Sequence, residues 1–505
     1  MSLVSIDNAF FSFGDKVILG GVSFNINPGD KIGLVGDNGT GKSTLLKILM
    51  GGLELDKGTV ARGKALRKIG YIEQDIPKDL EDRTLREVLA DAIPAEERNY
   101  NAWKADVALE NIGAPADHWD KKISELSGGW RRLALIARTN LDDPDLIIFD
   151  EPTNYLDLEK ILHLENWFRT NLNCPYLMVS HDRQFLDNVT NRTLTLRAGD
   201  IIDHKLPYSK SREIILKQDI LDAEKRQEQA NEIKRLERTA KQMLVWDKFT
   251  SRHKPILTRV ERIKDNLTDA YKGKTRDINL RQEQIRPNVV LRIHNCDIKT
   301  PDGKHLFRID DLYVSKGDKI VILGKNGSGK TQCLKALVAA FGAKDGNSTK
   351  FNPQVNLGYF DQNMDSLDAG MTISDHLQMT TDLSNQGVAT ALIKAGFPYK
   401  ELDKKIGALS FGERARYFFL LLHHLNKNFF ILDEPTNHLD IDGQEKLEDE
   451  LLDNDGTCIF VSHDRHFVQS VATRIMMIAR GKLVEIDSPE VFYKTLENYI
   501  ALLDK

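Results

Sequence analysis

The sequence predicts an α/β fold that is built twice along the chain, with a mainly α-helical segment between the two copies. An apolar strand-like run, a glycine-rich loop and a helix-like run follow one another near residue 36 and again near residue 324. The length of 505 residues is too great for a single hydrophobic core. We name residues 1–208 the first repeat, residues 209–286 the linker and residues 287–505 the second repeat, and predict each to be one domain.

The two glycine-rich loops read GDNGTGKST and GKNGSGKT, and both fit the phosphate-loop pattern GxxxxGK[ST]. Glycines allow consecutive backbone amides to surround phosphate oxygens at the start of a helix. Lys42 and Lys330 then reach the terminal phosphates, and the hydroxyls of Ser43 and Thr331 are offered to Mg²⁺. The alternative is a pair of flexible glycine loops without a ligand. The predicted ATP-binding residues of these loops are Gly36, Asp37, Asn38, Gly39, Thr40, Gly41, Lys42, Ser43 and Thr44, with Gly324, Lys325, Asn326, Gly327, Ser328, Gly329, Lys330 and Thr331.

Further along each repeat, an apolar strand ends in a pair of acids within DEPTN. Asp150 and Asp433 stand where a carboxylate holds Mg²⁺. Glu151 and Glu434 follow directly and are predicted to accept a proton from the attacking water.

Three more motifs recur at matching distances. Gln74 and Gln362 each follow their lysine by 32 residues, and the serines of LSGGW and LSFGE, Ser127 and Ser410, each precede the strand-end aspartate by 23. His181 and His463, in VSHD, follow the glutamates by 30 and 29 residues and are predicted to be catalytic, since imidazole can stabilise a terminal phosphate. A structural histidine is the alternative for either one alone.

Phosphate loop, glutamine, LSGG, DEPTN and VSHD in this order resemble the ATP-binding cassette ATPases. Two cassettes, the EPTNYLD and EPTNHLD loops and a charged linker resemble the ABC-F family. The resemblance implies that each LSGG segment faces the nucleotide held by the other repeat. Site one then joins the first repeat's motifs to Ser410 and Gly412, and site two joins the second repeat's to Ser127, Gly128 and Gly129. The implied Mg²⁺ ligands are Ser43, Gln74, Asp150, Thr331, Gln362 and Asp433.

The two repeats differ at positions that bear on the sites. Phe411 replaces the first glycine of LSGG, and we expect it to crowd site one. Tyr155 stands where the second repeat has His438. Phe13 is placed to stack on adenine, whereas the stretch at Pro301 and Asp302 offers no aromatic ring. We predict unequal base contacts, with ATP hydrolysis at both sites.

The linker concentrates positive charge. Residues 211–286 contain 19 Lys and Arg against 13 Asp and Glu, in a chain whose net charge is −5. Apolar residues recur at three- and four-residue steps from Ile233 to Met243 and from Ile256 to Tyr271, which predicts an antiparallel helical hairpin, a short coiled coil with Pro255 starting its second arm. Trp246 and Phe249 lie among the basic residues of its tip. That composition suits RNA, and the resemblance implies contact with ribosomal RNA and the P-site tRNA; a solvated spacer is the alternative.

Composition places the chain among globular proteins, and no run of about 20 apolar residues predicts a membrane span. The N-terminal segment lacks a leader pattern, so we expect a cytoplasmic protein, monomeric because its two cassettes pair within one chain. The leading hypothesis is an ATP-driven, ribosome-binding factor that regulates translation or relieves stalling or antibiotic inhibition. The alternatives are the ATPase subunit of a transporter and an ATP-dependent scaffold with little turnover.

Overall fold

The computed structural model describes residues 2–14, 16–72, 77–154, 156–246, 254–267, 288–343, 348–362, 364–425, 427–437, 439–453 and 456–503. Gln74, Tyr155 and His438 lie outside these described residues. So do Lys248, Phe249 and Arg252 of the predicted linker tip and Tyr271 of the predicted second arm.

The first repeat alternates strands and helices along most of its length. Its strands are β1 (Val4–Phe13), β2 (Lys16–Ile26), β3 (Lys31–Val35), β4 (Lys57–Arg62), β5 (Ile69–Ile72), β6 (Leu146–Asp150), β7 (Tyr176–Val179), β8 (Arg192–Arg197) and β9 (Asp200–His204). Its helices are α1 (Lys42–Met50), α2 (Leu85–Ala90), α3 (Arg98–Asn101), α4 (Trp103–Asn111), α5 (Gly128–Leu141), α6 (Leu158–Thr170) and α7 (Arg183–Val189).

The linker contributes α8 (Tyr208–Trp246) and α9 (Lys254–Asp265). The second repeat then runs through a similar order of elements, with one described helix fewer before the helix that LSFGE begins and one more after its last strand. Its strands are β10 (Val289–Lys299), β11 (His305–Ser315), β12 (Lys319–Leu323), β13 (Thr349–Phe351), β14 (Leu357–Phe360), β15 (Phe429–Asp433), β16 (Thr457–Val461), β17 (Arg474–Ala479) and β18 (Lys482–Ile486). Its helices are α10 (Lys330–Ala343), α11 (Ile373–Thr380), α12 (Asn385–Lys394), α13 (Phe411–His424), α14 (Ile441–Asp453), α15 (Arg465–Val471) and α16 (Pro489–Leu503).

Each repeat is built on a mostly parallel sheet. In the first, the strand order is β5-β6-β7-β3-β8-β9, and the second contains the equivalent order β14-β15-β16-β12-β17-β18. The central strands β6, β7, β12, β15 and β16 are apolar almost throughout, because helices cover both faces of the sheet. Ligands of such sheets bind beyond the carboxyl ends of the strands, so the sheet brings the phosphate loop, DEPTN and VSHD together at one edge.

An antiparallel sheet flanks each parallel one. The strands β2, β1 and β4 form a separate three-stranded sheet in the first repeat, whereas β13, β10 and β11 continue into the large sheet of the second. The junction is the same in both: the Gly20 amide donates to the Gly199 carbonyl (2.7 Å), and the Arg308 amide donates to the Gly481 carbonyl (2.9 Å).

The repeats share part of their hydrophobic core. Leu158 and Leu162 of α6 belong to the same buried cluster as Phe492 and Leu496 of α16 in the second repeat. The two repeats therefore form one compact unit, and α8 and α9 form another.

The linker unit is helical, as predicted. The helix α8 has 39 residues, and the described part of the second arm, α9, has 12 and packs along α8. Ala240 and Val260, on the predicted apolar stripes, are 1% and 3% exposed, whereas Met243 is 40% exposed. Pro255 lies in the first turn of α9, as expected from its fixed φ. Arg259 pairs with Glu232 at 2.7 Å.

Among the described residues, no helix combines the length and the apolar character that a membrane span requires.

Candidate nucleotide-binding sites

The phosphate loops connect β3 to α1 and β12 to α10. Gly41 and Gly329, which precede the two helices, have φ of +107° and +101°, where a side chain is strained. An added Cβ at Gly41 would lie 2.2 Å from Cγ2 of Ile18, and one at Gly329 would lie 2.7 Å from Cδ1 of Leu306. The loops therefore need glycine at these positions both for conformation and for space.

The lysines of the two loops are buried and held by the loops' own carbonyl oxygens. Lys42 Nζ donates to the carbonyls of Gly36 (2.6 Å) and Asp37 (3.2 Å). Lys330 Nζ donates to the carbonyl of Gly324 (2.8 Å) in the same way. Burial lowers the pKa of both lysines, against the opposing effect of the nearby acids. Each ammonium group thus stands inside the curve of its loop.

The strand-end acids follow β6 and β15, beside the phosphate loops. Burial, reinforced by the neighbouring glutamate, raises the pKa of Asp150 and raises that of Asp433 to about 6. The Thr331 hydroxyl lies 3.3 Å from Oδ1 of Asp433. Hydroxyl and carboxylate oxygens meet here, and they are ligands that Mg²⁺ prefers.

The two glutamates adopt an unusual backbone conformation. Glu151 and Glu434 have φ of +52° and +51°, which is rare for residues with a side chain and marks stored strain. Hydroxyl contacts tie the strained turns to the next strand, from Thr153 to Ser180 (3.2 Å) and from Thr436 to Ser462 (3.1 Å). Strain that is held in place twice, at equivalent positions, indicates a functional turn.

Each glutamate meets the predicted histidine at two points. His181 Nε2 lies 3.2 Å from Oε1 of Glu151, and the His181 amide donates to Oε2 at 3.3 Å. His463 and Glu434 repeat both contacts at 3.3 and 3.0 Å. Burial lowers the pKa of both histidines, although the glutamates oppose it. A neutral imidazole is therefore positioned to donate to a carboxylate.

A cavity of about 290 Å³ lies at the second phosphate loop, lined by Thr331, Tyr359, Gln362 and Asp433 among others. Three buried polar atoms in this region, Ser328 Oγ, Tyr359 Oη and Asp433 Oδ2, make no hydrogen bond within the described residues. Oxygen ligands with unmet bonding capacity beside a phosphate loop fit a nucleotide and Mg²⁺.

The LSGG segments begin α5 and α13. Ser127 and Ser410 are the N-cap residues and are exposed. Gly128 is also exposed, Gly129 is buried and Gly412 is half-buried. Ser410 forms a capping box with Glu413, which Trp130 replaces in the first repeat. The Phe411 side chain is 37% exposed.

The loops after DEPTN cross to the other repeat, which sequence reasoning did not foresee for individual residues. The Asn38 amide in the first phosphate loop donates to Oδ2 of Asp440 at 2.8 Å. Asn326 Nδ2 in the second donates to Oδ2 of Asp157 at 3.1 Å. Each phosphate loop therefore contacts an aspartate of the opposite repeat. These aspartates are the final residues of EPTNYLD and EPTNHLD, and that repeated position is the signal by which the sequence could have identified them.

Arg132 is a second residue that sequence reasoning missed. It is 2% exposed, and its guanidinium donates to the backbone carbonyls of Asp150 and Glu151, the latter at 3.0 Å. The second repeat has Ala415 at this position, so the strained turn of Glu434 lacks that support. Among the other predicted residues, the Thr40 hydroxyl donates to the Asp37 carbonyl (2.8 Å), and Phe13 is 55% exposed. Ser43, Thr44 and Gly327 lie on the loops or in the first helical turns.

Similarity to known proteins extends over both repeats. The family described as ABC transporter matches residues 19–154 and 307–437. The chain is 30% identical to the ATP-binding protein Uup of Buchnera aphidicola, over 96% of this chain and 82% of that protein. It is 29% identical to the putative ATP-binding protein YdiF of Bacillus subtilis, over 96% and 81%, and 27% identical to ABC transporter F family member 5 of Arabidopsis thaliana, over 97% and 77%.

Among solved structures, the chain is similar in fold to one of a complex of archaeal ribosomal stalk protein aP1 with the archaeal ribosome recycling factor aABCE1. The TM-score is 0.66 at 19% identity, covering 97% of this chain and 92% of that one. A model of ribosome-bound archaeal Pelota and ABCE1 gives a TM-score of 0.62 at 19% identity, covering 97% and 80%.

Proposed function

The chain belongs to the ATP-binding cassette family, and within it to the tandem-cassette ABC-F proteins, and from that membership we propose that it hydrolyses ATP at two sites shared between its repeats. The observation that carries the proposal is the pairing of a strained glutamate with a histidine beside each phosphate loop. The contacts between each loop and the opposite repeat support the shared architecture.

In each proposed site, the phosphate loop and its lysine bind the phosphates of the substrate. The glutamates Glu151 and Glu434 accept a proton from the attacking water, and His181 and His463 orient that carboxylate through the observed Nε2 contacts. Ser43, Gln74 and Asp150 in site one, and Thr331, Gln362 and Asp433 in site two, would hold Mg²⁺. When bound, the metal neutralises charge on the phosphate oxygens.

The opposite repeat completes each proposed site. Ser410 and Gly412 contribute the start of a helix to site one, and Ser127, Gly128 and Gly129 contribute one to site two, where the helix dipole favours an anion. Phe13 stacks on the adenine of site one, for which its half-exposed ring is available. ATP then bridges the repeats, and loss of the γ-phosphate weakens that bridge.

The test of hydrolysis is phosphate release by Glu151→Gln, Glu434→Gln and the double variant. Each single variant should retain part of the wild-type turnover, and the double variant should retain almost none while still binding ATP. If one single variant has no turnover and the other is unaffected, only one site hydrolyses ATP.

We further propose that the three parts of the chain, 1–208, 209–286 and 287–505, act in the cytoplasm on the ribosome, with the linker contacting rRNA and P-site tRNA to regulate translation or relieve stalling or antibiotic inhibition. The ABC-F membership supports this role, and the excess of basic residues in the linker favours contact with phosphates. Arg262 on α9 is an exposed cation of the described part.

The ribosome role is tested by co-sedimentation of the Glu151→Gln, Glu434→Gln double variant with ATP or with ADP. Pelleting with ribosomes in ATP and not in ADP supports it, and no association despite verified ATP binding refutes it. Adding Arg262→Glu should weaken the association, whereas Glu261→Arg, at the neighbouring position, should not, because electrostatic attraction to RNA follows the sign of the charge.

A further inference from the structure

Two buried arginines begin the helices that follow the histidines. Arg183 starts α7, two residues after His181, and Arg465 starts α15, two residues after His463. Both side chains cross to the opposite repeat: Arg183 pairs with Glu448 of α14, and Arg465 pairs with Glu165 of α6. The second guanidinium nitrogens lie 3.5 and 3.4 Å from the other carboxylate oxygens, so both pairs are two-pronged.

All four residues are between 4% and 8% exposed, namely Arg183 at 4%, Arg465 at 8%, Glu165 at 5% and Glu448 at 6%. Removing such charges from water is expensive, and a buried pair often adds no net stability over an apolar one. In some proteins a buried pair instead defines the register between the elements that carry it. The two pairs are therefore better explained by positioning than by stability.

Further contacts surround both arginine–glutamate pairs and fix the position of each carboxylate. Asn188 Nδ2 donates to Oε2 of Glu165 at 3.0 Å, and His466 Nδ1 lies 3.4 Å from Oε1 of Glu448. Burial of Glu448 is outweighed by its hydrogen bonds to His466 and Arg183, which lower its pKa. Arg183 also lies 3.6 Å from Oδ2 of Asp464, the N-cap residue of α15.

The glutamates lie on the same helices whose first residues contact the phosphate loops. Asp157, which caps α6, binds Asn326, and Glu165 follows about two turns later and binds Arg465. Asp440, before α14, binds Asn38, and Glu448 binds Arg183. Each of these two helices therefore contacts both the phosphate loop and the histidine turn of one site, and it belongs to the repeat opposite to that site.

We propose that Arg183 and Arg465 are positioning residues, which make the histidine turn of each site depend on a glutamate of the other repeat. Turnover at site one then requires Glu448, and turnover at site two requires Glu165. The statement about turnover rests on the proposed hydrolysis at both sites. The dependence of each histidine turn on a glutamate of the other repeat does not rest on it.

The kinetic test uses backgrounds in which one site works alone. Glu448→Gln in the Glu434→Gln background should lower kcat at site one by about 10²-fold with little change in KM, because misplacing a catalytic group by about 1 Å has this effect. In the Glu151→Gln background, which leaves site two, the same substitution should have less than about a tenth of that effect. Glu165→Gln should give the reverse pattern. The control is Asp449→Asn, which changes the neighbouring, exposed residue of α14.

Exchanging the charges separates positioning from general damage. Arg183→Glu and Glu448→Arg should each abolish site-one turnover, and the combined variant should recover at least about a tenth of it, since the pair is restored in reverse. Equal loss in both backgrounds, a change confined to KM, or no recovery overturns the proposal.

Hydrogen exchange tests the positioning even if the protein releases no phosphate. That outcome would refute the proposed hydrolysis, but it would not decide whether the arginines position the histidine turns. In hydrogen exchange, Glu448→Gln should speed exchange of the amides of 181–189 about tenfold and should affect 463–471, which Glu448 contacts through His466, markedly less. Glu165→Gln should speed exchange of the amides of 463–471 and should affect 181–189, which Glu165 contacts through Asn188, markedly less. If both segments respond equally to either variant, the crossed dependence does not exist.

Discussion

Replacing Gly41 by alanine perturbs the first phosphate loop at the position where both backbone and space are most restricted. Its φ of +107° is unfavourable for alanine by about 1–2 kcal/mol. The new Cβ would lie 2.2 Å from Cγ2 of Ile18, whereas carbon atoms pack at about 3.5–4.0 Å. That methyl group is bonded directly to a branched Cβ and cannot move far, so overpacking adds about 1–3 kcal/mol.

The total of about 2–5 kcal/mol is relieved most easily by moving the loop itself. The start of α1 then shifts, and we expect the dissociation constant for ATP at site one to rise by about 10²-fold or more. Gly329→Ala should have a smaller effect at site two, because its Cβ would meet the end of the flexible Leu306 side chain, at 2.7 Å.

Gly39→Ala is the matched substitution in the same loop. Gly39 has φ of +75°, and an added Cβ would have no atom within 4 Å. It should therefore weaken binding by no more than about fivefold. The assay is titration with a fluorescent ATP analogue in the Lys330→Ala background, with thermal melting as the check on folding. If Gly39→Ala weakens binding as much as Gly41→Ala does, the steric reasoning is wrong.

Three further outcomes are expected. Lys42→Ala should weaken nucleotide binding at site one at least about tenfold in equilibrium dialysis, because a charged hydrogen-bond donor to phosphate is lost; unchanged binding would exclude the proposed role. Burial raises the pKa of Asp182 to about 6, above its ordinary 3.8. The folded state therefore binds this proton more tightly than the unfolded state, and the stability that the protonated group contributes is lost as pH rises from about 4 to about 6. Asp182→Asn keeps the helix cap, and its melting temperature relative to wild type should rise by a few degrees between pH 4 and pH 7; a constant difference would contradict the assignment. Val260→Asp should destabilise the linker hairpin by about 2–4 kcal/mol and speed its proteolysis, whereas Leu257→Asp, at a 39% exposed position of the same helix, should not; equal cleavage rates would contradict the packing.

Local motifs predicted much of the fold. The strand, loop and helix around Lys42 and around Lys330 stand where the pattern placed them, because each phosphate loop is a contiguous segment whose glycines and flanking apolar runs carry the necessary information. The contact of Glu151 with His181 was not predicted, although both residues follow neighbouring strands of one parallel sheet.

The linker was predicted less completely. Its apolar stripes indicated the buried positions Ala240 and Val260, but Met243 on the same stripe is exposed. Periodicity gives the face of a helix that packs, whereas the extent of packing depends on the partner helix.

The sequence by itself determined which residues form each phosphate loop, because the loop depends on its glycines and on neighbours along the chain. Only the tertiary structure decided how the two repeats meet. Asp157 and Asn326 are 169 residues apart, and Glu165 and Arg465 are 300 apart. An ion pair across that separation leaves no local pattern, since its geometry is set by the packing of α6 and α14 against the opposite repeat and not by the propensities of the residues themselves.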